Sequence, residues 1–367
     1  MVVKRSAGPS GMPFNLDKAR AFLEETRSYG IVFDRDSDGI CSAALVVKYL
    51  RTKGIEPVLA KCKDEVGINV SDVLLDQMKE QERVITCDLP IDQSPMEPSL
   101  RGVKMLVLDH HIPRKDLSSR TVVHINPRFE DAKLYRPTSY LAYVLTQPFS
   151  TKYCWLAGVG VLSDYGLKDC KDLIDLVAKK HPELVLKELY DQREMWNSGL
   201  GLISNIISAA YGVEGHKGAT LAFDVVSNAE SPEDITSSAL MKHYNAYQTE
   251  LEATMDDFEH NAVRFEKAGA LMYHIASKYK IVGVLATRVA EAHSDSVVMV
   301  WRATAHNVEM SFRCQSGRVD VAALVKELTR GLGEGGGHDK AAAGSVPIEH
   351  KEEFLERVRR KFEGLTV

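Results

Sequence analysis

The segment Met105-Leu106-Val107-Leu108-Asp109-His110-His111 determines how the first half of this chain is interpreted. Its first four residues are apolar with no polar alternation, which is typical of a strand buried on both faces of a sheet. One carboxylate and two imidazoles follow at once. The segment therefore predicts a buried strand that delivers acidic and imidazole side chains at its carboxyl end.

Similar apolar runs recur through the first two hundred residues. They are Ile31–Phe33, Pro57–Ala60, Val84–Cys87 and Val122–Ile125. Helix-like segments such as Ala43–Leu50 separate them, with apolar residues at helical spacing. Repetition of strand and helix predicts an α/β fold with a parallel sheet and helices on both of its faces.

Carboxylates follow several of these apolar runs. Asp34, Asp36 and Asp38 follow the first run, Asp88 follows Val84–Cys87, and Asp164 follows a fourth apolar stretch, Trp155 to Leu162. The carboxyl ends of parallel strands face one crevice, where ligands bind in open α/β sheets. We therefore expect these side chains to converge.

Converging carboxylates repel one another and raise each other's pKa, so such a cluster is tolerated around cations. Carboxylates with an imidazole suit Mn²⁺ or Mg²⁺ better than a thiolate-bound zinc. Two such ions about 3.5–4 Å apart would activate water and clamp a phosphate. The pattern predicts a two-cation site.

Simpler explanations exist for each motif. An Asp after a strand is often a turn residue or a helix N-cap, and Asp109-His110-His111 could be a solvated surface turn. The spacing of Asp34, Asp36 and Asp38 also matches the opening of an EF-hand. That loop needs Glu at its twelfth position, where this chain has Leu45, and a helix before it, so the EF-hand fails. Three acidic motifs that each follow a strand make coincidence improbable.

The second half of the chain has a different pattern. From Ser231, apolar residues recur at steps of three and four as far as Phe265, which predicts one long connector helix over 231–267. Strands are expected at Lys280–Leu285, Ser296–Trp301 and Val308–Phe312, with a helix near Val321–Arg330. These elements predict a smaller α/β domain over 268–367, after a first domain over 14–230 and a flexible tail over 1–13.

A glycine-rich stretch, Gly335-Gly336-Gly337-His338, lies near the end of the chain. A flexible loop that terminates a helix would explain it. Gly331, Gly333 and Gly336 satisfy the GxGxxG spacing of a dinucleotide-binding loop, but the stretch follows a helix-like segment and not a strand. Glycines also let backbone N–H groups approach a phosphate closely, and His338 can add a donor.

Composition limits the class of protein. The chain has 367 residues, 44% of them hydrophobic and 26% charged, as in folded globular proteins. No apolar run reaches the roughly 20 residues of a membrane span, and the first residues do not resemble a secretory signal. The six cysteines form no CxxC pair, so a reducing cytoplasm is expected. The net charge of −5 excludes a generally basic nucleic-acid coat protein.

Two smaller features carry less weight. Thr138 and Ser139 precede a helix-like run and are interpreted as a helix start. Trp155, Trp196 and Trp301 could stack on bases, but packing roles are favoured for all three.

The acidic motifs together resemble those of the DHH phosphoesterase superfamily. The resemblance implies that Asp36, Asp38, Asp88, His110 and Asp164 ligate metal, with Asp88 as the bridge. His111 would bind phosphate or assist the leaving group, and Asp109 would orient its neighbours. Several relatives have His where this chain has Val32, and Asp34 would compensate in part. The segment His124-Ile125-Asn126-Pro127 also resembles the strand that follows the DHH motif.

The glycine-rich stretch resembles the GGGHxxAAG signature of the DHH-associated substrate-binding domain, and Ser311-Phe312-Arg313-Cys314 resembles that domain's S-x-R-S segment. The resemblance implies that substrate is bound by Ser311, Arg313, Gly335, Gly336, Gly337 and His338. Arg313 would grip a phosphate in a bidentate manner.

This resemblance implies a cytoplasmic, metal-dependent phosphodiesterase. The favoured function is that of a compact, archaeal-type RecJ-like exonuclease of single-stranded DNA or RNA, with Mn²⁺ or Mg²⁺ as cofactor and DNA repair as its context. A nanoRNase, a pAp phosphatase or a cyclic-dinucleotide phosphodiesterase is an alternative within enzymes. A non-catalytic component of a replication complex is an alternative outside them. Replication or repair proteins are candidate partners, and no membrane association is expected.

Overall fold

The computed structural model describes residues 15–64 and 68–364, so the flexible tail predicted for residues 1–13 lies outside the described part. The chain divides into two compact units, one up to Tyr244 and one from Asn245. Within the described ranges, no helix combines the length and the apolar character needed to cross a membrane.

The first unit is built on a parallel five-stranded sheet. Its strands are β1 (Gly30–Phe33), β2 (Leu59–Cys62), β3 (Val84–Cys87), β4 (Met105–Leu108) and β5 (Val122–Ile125), in the order β2-β1-β3-β4-β5. The last residues of β1, β3 and β4 are level across the sheet, because Phe33 pairs with Cys87 and Cys87 with Leu108. The residues that follow these strands therefore start from one edge, as the sequence predicts.

Ten helices are described in this unit. They are α1 (Leu16–Glu25), α2 (Ser37–Arg51), α3 (Asp72–Lys79), α4 (Thr138–Leu145), α5 (Cys154–Ser163), α6 (Lys171–Lys180), α7 (Gln192–Trp196), α8 (Gly199–Glu214), α9 (His216–Asn228) and α10 (Pro232–Thr236).

Successive residues of a strand point to opposite faces of the sheet, and both faces are covered by apolar side chains. Ile31 and Phe33 belong to the core formed with α2, α4, α5 and α8. Val32 belongs to a second core on the other face, with Leu74 and Met78 of α3. Burial on both faces explains why the strands are continuous apolar runs.

The second unit contains a mixed six-stranded sheet in the order β10-β11-β9-β8-β7-β6. The strands are β6 (Val263–Phe265), β7 (Ala270–His274), β8 (Val297–Ala303), β9 (Asn307–Arg313), β10 (Glu334–His338) and β11 (Ala341–Pro347). Only the β7–β8 pair is parallel among the described pairings of this sheet. The helices are α12 (Val282–Ala292), α13 (Val321–Thr329) and α14 (Lys351–Gly364), and α11 (Leu240–Asn261) spans the division between the units.

The structure corrects three expectations and decides a fourth point that the sequence left open. Trp155 to Leu162 lies in helix α5, because a short, uniformly apolar run does not distinguish a buried strand from a buried helix. Lys280–Leu285 leads into helix α12 and is not a strand. The connector helix is limited to Leu240–Asn261, with α10 before it and strand β6 after it. The glycine-rich stretch is strand β10, paired with β11, and not a loop.

Candidate metal centre

The turn after β1 brings three carboxylates to the edge of the sheet. Asp36 caps α2, and its Oδ1 accepts a hydrogen bond from the backbone N–H of Gly39 at 2.9 Å. Gly39 is required there, because a Cβ atom would lie 2.4 Å from the backbone oxygen of Asp34. Asp34 forms an ion pair with Lys63. Asp38 lies in the first turn of α2 and is fully buried.

Asp38 is held by the N-terminus of α4. Its Oδ2 accepts from the backbone N–H of Thr138 at 2.7 Å, and its Oδ1 accepts from that of Ser139 at 2.9 Å. The first N–H groups of a helix have no partner within the helix and favour an anion. The α4 N-terminus therefore fixes the orientation of this carboxylate. Sequence analysis identified Thr138 and Ser139 as a helix start but not as partners of Asp38.

Asp88 follows β3 in the left-handed backbone region, with φ of 63°. A non-glycine residue is uncommon there, and such strain concentrates at functional sites. The side chain is buried, and its Oδ1 accepts a hydrogen bond from Thr138 Oγ1 at 3.2 Å. The strained backbone holds the Asp88 carboxylate in the middle of the acidic cluster.

His110 links the carboxylates of two elements. Its Nε2 atom lies 3.0 Å from Asp164 Oδ2 and 3.1 Å from Asp88 Oδ1. Neither ring nitrogen has a well-formed hydrogen bond within the described residues, although the side chain is almost entirely buried. Tyr135 packs against this ring edge-on, with centroids 5.3 Å apart, and its hydroxyl lies 3.5 Å from Asp164 Oδ2.

Asp109 and His111 form a separate pair beside the cluster. His111 Nδ1 lies 2.8 Å from Asp109 Oδ1, while Asn126 Nδ2 donates to Asp109 Oδ2 at 3.4 Å and to the backbone oxygen of His111 at 2.9 Å. Burial raises the pKa of Asp109, but the bond with His111 outweighs it and the net pKa is lowered. His111 is 42% exposed, so the pair presents an oriented imidazole to solvent.

Burial gives the acidic cluster unusual proton affinity. Burial first, and the charge of Asp88 second, raise the pKa of Asp38 to about 6. Burial also raises the pKa values of Asp88 and Asp164. Burial alone would lower the pKa of His110, but Asp164 and Asp88 hold it well above its ordinary value. When no cation is bound, the raised pKa values mean that retained protons balance part of the negative charge of the cluster.

The donor set fits divalent cations. Three overlapping groups place one ligand atom per residue within 4.8 Å of one another: Asp34, Asp36 and Asp88; Asp38, His110 and Asp164; and Asp88, His110 and His111. Asp88 and His110 each belong to two of these groups. Oxygen donors with one or two imidazoles suit Mn²⁺ or Mg²⁺. The buried His110 ring, whose Nε2 faces the carboxylates of both Asp88 and Asp164, is a second observation that favours a metal ligand.

The group of Asp34, Asp36 and Asp88 contains no imidazole, unlike the corresponding motif of several relatives. Val32, where several relatives have His, is fully buried in β1 and packs in the core beneath the sheet. No imidazole therefore comes from that position. Asp34 lies within reach of Asp36 and Asp88, but its ion pair with Lys63 already balances its charge.

The predicted substrate-binding residues of the second unit come together on its sheet. Arg313 of β9, Ala341 of β11 and His338 of β10 are directly opposite one another across three strands. Ser311, Ala343 and Gly336 form the next such row. Directly opposite residues share a face, so the Ser311, Arg313 and His338 side chains point the same way across two small alanines.

Gly335 and Gly337 are needed for packing in this hairpin. Gly337 has φ of 143°, and a Cβ atom there would lie 2.4 Å from the backbone oxygen of Ala341. A Cβ atom at Gly335 would lie 2.3 Å from Val325 of α13. At Gly336 a Cβ atom would meet nothing within 4 Å, so this residue leaves open space.

Family models match both parts of the chain. Residues 29–178 match the DHH family N-terminal domain, and residues 268–364 match the DHHA1 domain. The chain belongs to the DHH superfamily. The two matched ranges contain the acidic cluster and the Ser311, Arg313 and His338 face, respectively.

RecJ proteins are among the similar members of this superfamily. The single-stranded-DNA-specific exonuclease RecJ of Dickeya dadantii is 26% identical over 400 residues, covering 95% of this chain and 68% of its own. The crystal structure of Thermus thermophilus RecJ with Mn²⁺ matches with a TM-score of 0.69 at 18% identity, over 95% of this chain. A second crystal structure, of an exonuclease RecJ bound to manganese, matches with a TM-score of 0.68 at 21% identity, over 96% of this chain and 95% of that one.

The length of the match differs among these relatives. This chain spans 55% of the Thermus thermophilus RecJ chain but almost all of the other crystallised RecJ. At these identities the structural likeness establishes the fold shared with RecJ.

Proposed function

We propose that this DHH superfamily protein is a metal-dependent phosphodiesterase that releases mononucleotides from single-stranded DNA or RNA, as a RecJ-like exonuclease. The observation that carries the proposal is the acidic cluster joined by the buried His110, whose Nε2 lies 3.0 Å from Asp164 Oδ2 and 3.1 Å from Asp88 Oδ1. The cluster is unfavourable without cations, because Asp38 and Asp88 are buried and lie close to the other carboxylates.

Asp36, Asp38, Asp88, His110 and Asp164 would hold two Mn²⁺ or Mg²⁺ ions, with Asp34 as an auxiliary acid. When bound, these ions supply a Lewis acid and a source of hydroxide near neutral pH. The Thr138 and Ser139 backbone amides orient Asp38, and Tyr135 supports His110.

His111 is a partly exposed imidazole at this cluster. Its Nδ1 faces Asp109 Oδ1 at 2.8 Å, and this bond raises the pKa of the imidazole against the opposing effect of burial. We propose that His111 contacts the scissile phosphate or gives a proton to the leaving oxygen, while Asp109 orients the ring.

The DHHA1 domain would bind the nucleotide. Arg313 is partly fixed, because its Nε donates to Thr287 Oγ1 at 3.0 Å and its Nη1 to the Phe312 backbone oxygen at 2.9 Å. A fixed guanidinium binds phosphate with little loss of side-chain entropy. Ser311 and His338 on the same face add polar donors, and Gly336 leaves open space beside them, whereas Gly335 and Gly337 serve packing of the hairpin.

The test is hydrolysis of end-labelled single strands of graded length, in DNA and in RNA, with Mn²⁺ or Mg²⁺. We expect stepwise release of mononucleotides from long strands. Activity on dinucleotides without activity on long strands would favour the nanoRNase, pAp phosphatase or cyclic-dinucleotide alternative. Absence of hydrolysis with tight strand binding would favour the non-catalytic replication component.

Asp88→Asn and Asp76→Asn make a matched pair of variants. Asp88 is buried in the cluster, whereas Asp76 lies on the exposed side of α3 and pairs with Lys79. We expect Asp88→Asn to lose more activity than the about 10- to 100-fold typical of groups behind a metal ligand. Asp76→Asn should be fully active, and equal activity of the two variants would refute the metal centre.

All six cysteines are free and buried, which supports a reducing, cytoplasmic location. Replication or repair proteins remain proposed partners.

A further inference from the structure

Two aromatic side chains lie beside Asp164 at the metal centre. Tyr165 directly follows Asp164 and is 66% exposed, and its ring centroid is 6.4 Å from that of Trp196, at an interplanar angle of 59°. Trp196 is partly exposed at the end of α7. Gln192 of α7 donates from Nε2 to the backbone oxygen of Leu162 at 2.7 Å, which fixes α7 against the end of α5.

Tyr165 occupies a backbone position that normally selects another residue type. The N–H of Tyr165 bonds the Leu162 oxygen at 3.2 Å, and the N–H of Gly166 bonds the Val161 oxygen at 2.9 Å. These two bonds are those of a Schellman helix end, where the left-handed residue is usually Gly and sometimes Asn. Tyr165 has φ of 58° and therefore holds a bulky side chain at a strained position.

Burial of the ring does not explain this choice of residue. With two thirds of its surface exposed, the Tyr165 ring buries little apolar area, whereas glycine would relieve the strain. Among the described residues, Asp88 and Tyr165 are the two non-glycine residues with positive φ; Asp88 belongs to the acidic cluster, and Tyr165 directly follows Asp164, another of its members. Backbone strain of this kind is retained where a site requires it.

We propose that Tyr165 and Trp196 form a stacking platform for the bases of the single strand that is hydrolysed. The inference rests on the proposed function, because Tyr165 directly follows Asp164, a member of the cluster to which the phosphodiester would bind. Every base has an aromatic face, so stacking binds a strand without sequence preference. The two rings are tilted and not stacked on one another, and the exposed Tyr165 ring offers area to a base.

The test compares Tyr165→Gly with Tyr165→Phe. Affinity for an end-labelled single strand is measured by fluorescence anisotropy in chelator, where hydrolysis does not interfere. We expect Tyr165→Gly to raise Kd about tenfold, within the range for loss of one aromatic stacking partner. Tyr165→Phe keeps the ring and should bind as the wild type does. Val73→Ala, at a 69% exposed position on α3, controls for loss of surface apolar area.

A strand with abasic sites separates stacking from indirect effects. The wild type should bind the abasic strand at least about tenfold more weakly than the normal strand, and Tyr165→Gly should show a smaller difference between the two strands. Equal loss of affinity for both strands in Tyr165→Gly would overturn the platform. Thermal unfolding of Tyr165→Gly should be unchanged or shifted upward, because glycine suits the left-handed position.

Trp196→Leu is a second, independent test of the platform. This variant should also lose more affinity for the normal strand than for the abasic strand. Wild-type hydrolysis with unchanged Kd values in both variants would overturn the platform and leave the proposed function standing. Base-dependent binding without hydrolysis by any protein would support the platform and refute the exonuclease.

Discussion

Gly160 of α5 packs against Ser139 and Asp38 of the metal centre. Substituting Gly160 therefore tests how tightly the centre is packed. A Cβ atom at Gly160 would lie 2.4 Å from Ser139 Oγ and 2.8 Å from Asp38 Oδ1. Ordinary van der Waals contact begins at 3.4 Å, so Gly160→Ala must displace Ser139 by about 1 Å. Because the Ser139 N–H holds the Asp38 carboxylate, that carboxylate must move as well.

Two opposing terms determine the effect of Gly160→Ala on stability. Alanine in a helix interior is favoured over glycine by about 1 kcal/mol. Overpacking of a close-packed core costs about 1–3 kcal/mol. The free energy of unfolding should therefore fall by about 0–2 kcal/mol, which leaves the protein folded. Displacement of the Asp38 carboxylate should weaken Mn²⁺ binding about 10- to 100-fold.

Gly158→Ala on the same helix is the matched control. A Cβ atom at Gly158 would lie 3.2 Å from Val177 Cγ2 and 3.4 Å from Leu200 Cδ1, two apolar side chains outside the acidic cluster. Isothermal titration with Mn²⁺ gives the affinity of each variant, and thermal unfolding in chelator gives its stability. We expect Gly158→Ala to bind Mn²⁺ as the wild type does.

Two results would refute this reasoning. A folded Gly160→Ala protein whose Mn²⁺ affinity lies within about twofold of the wild type would mean that the Asp38 position does not control the metal. Equal losses in Gly160→Ala and Gly158→Ala would mean that any added methyl on α5 disturbs the centre, and the contact with Ser139 would lose its significance.

Three further predictions follow from the same contacts. Burial and the Asp88 charge raise the pKa of Asp38 from 3.8 to about 6, so its carboxyl binds a proton more tightly in the folded protein. The stability that this proton contributes is present below pH 3.8 and is lost as the pH rises through 6. The unfolding midpoint measured in chelator should therefore fall over that range, whereas the midpoint measured with Mn²⁺ should not. Gly337→Ala should destabilise the second unit by about 1–3 kcal/mol in urea unfolding, whereas Gly336→Ala, with open space around its Cβ, should not. Thr138→Val removes the hydroxyl bond to Asp88 but keeps the backbone bond to Asp38, so Mn²⁺ titration should show a loss of about tenfold, and an unchanged affinity would contradict that role.

The strands β1, β3 and β4 were predictable because each is buried on both faces. Strand β2 begins two residues later than the predicted Pro57–Ala60 and includes the exposed Lys61. Val84–Cys87, Met105–Leu108 and Val122–Ile125 have the predicted bounds, and the acids that follow β1, β3 and β4 lie at one edge as expected. The apolar runs and the acids that follow them can be seen directly in the sequence, and the carboxyl ends of parallel strands lie at one edge of a sheet.

Short apolar segments were not predictable in the same way. Trp155 to Leu162 is helix α5, and Lys280–Leu285 leads into helix α12, because uniform hydrophobicity reports burial and not backbone conformation. The glycine-rich stretch forms strand β10 because it pairs with β11. This pairing depends on a second strand, so the local preference of glycine for loops does not predict it.

The sequence alone determined which side chains carry the chemistry: carboxylates and imidazoles placed directly after apolar strands, and a glycine–histidine stretch near the end. Tertiary structure alone decided what surrounds them. Thr138 binds Asp38 across 100 positions of chain, Gly160 closes on the same carboxylate, and Tyr165 is held beside Asp164 in a strained conformation. Such contacts join residues distant in sequence, and they form only when helices α2, α4 and α5 pack around one buried charge.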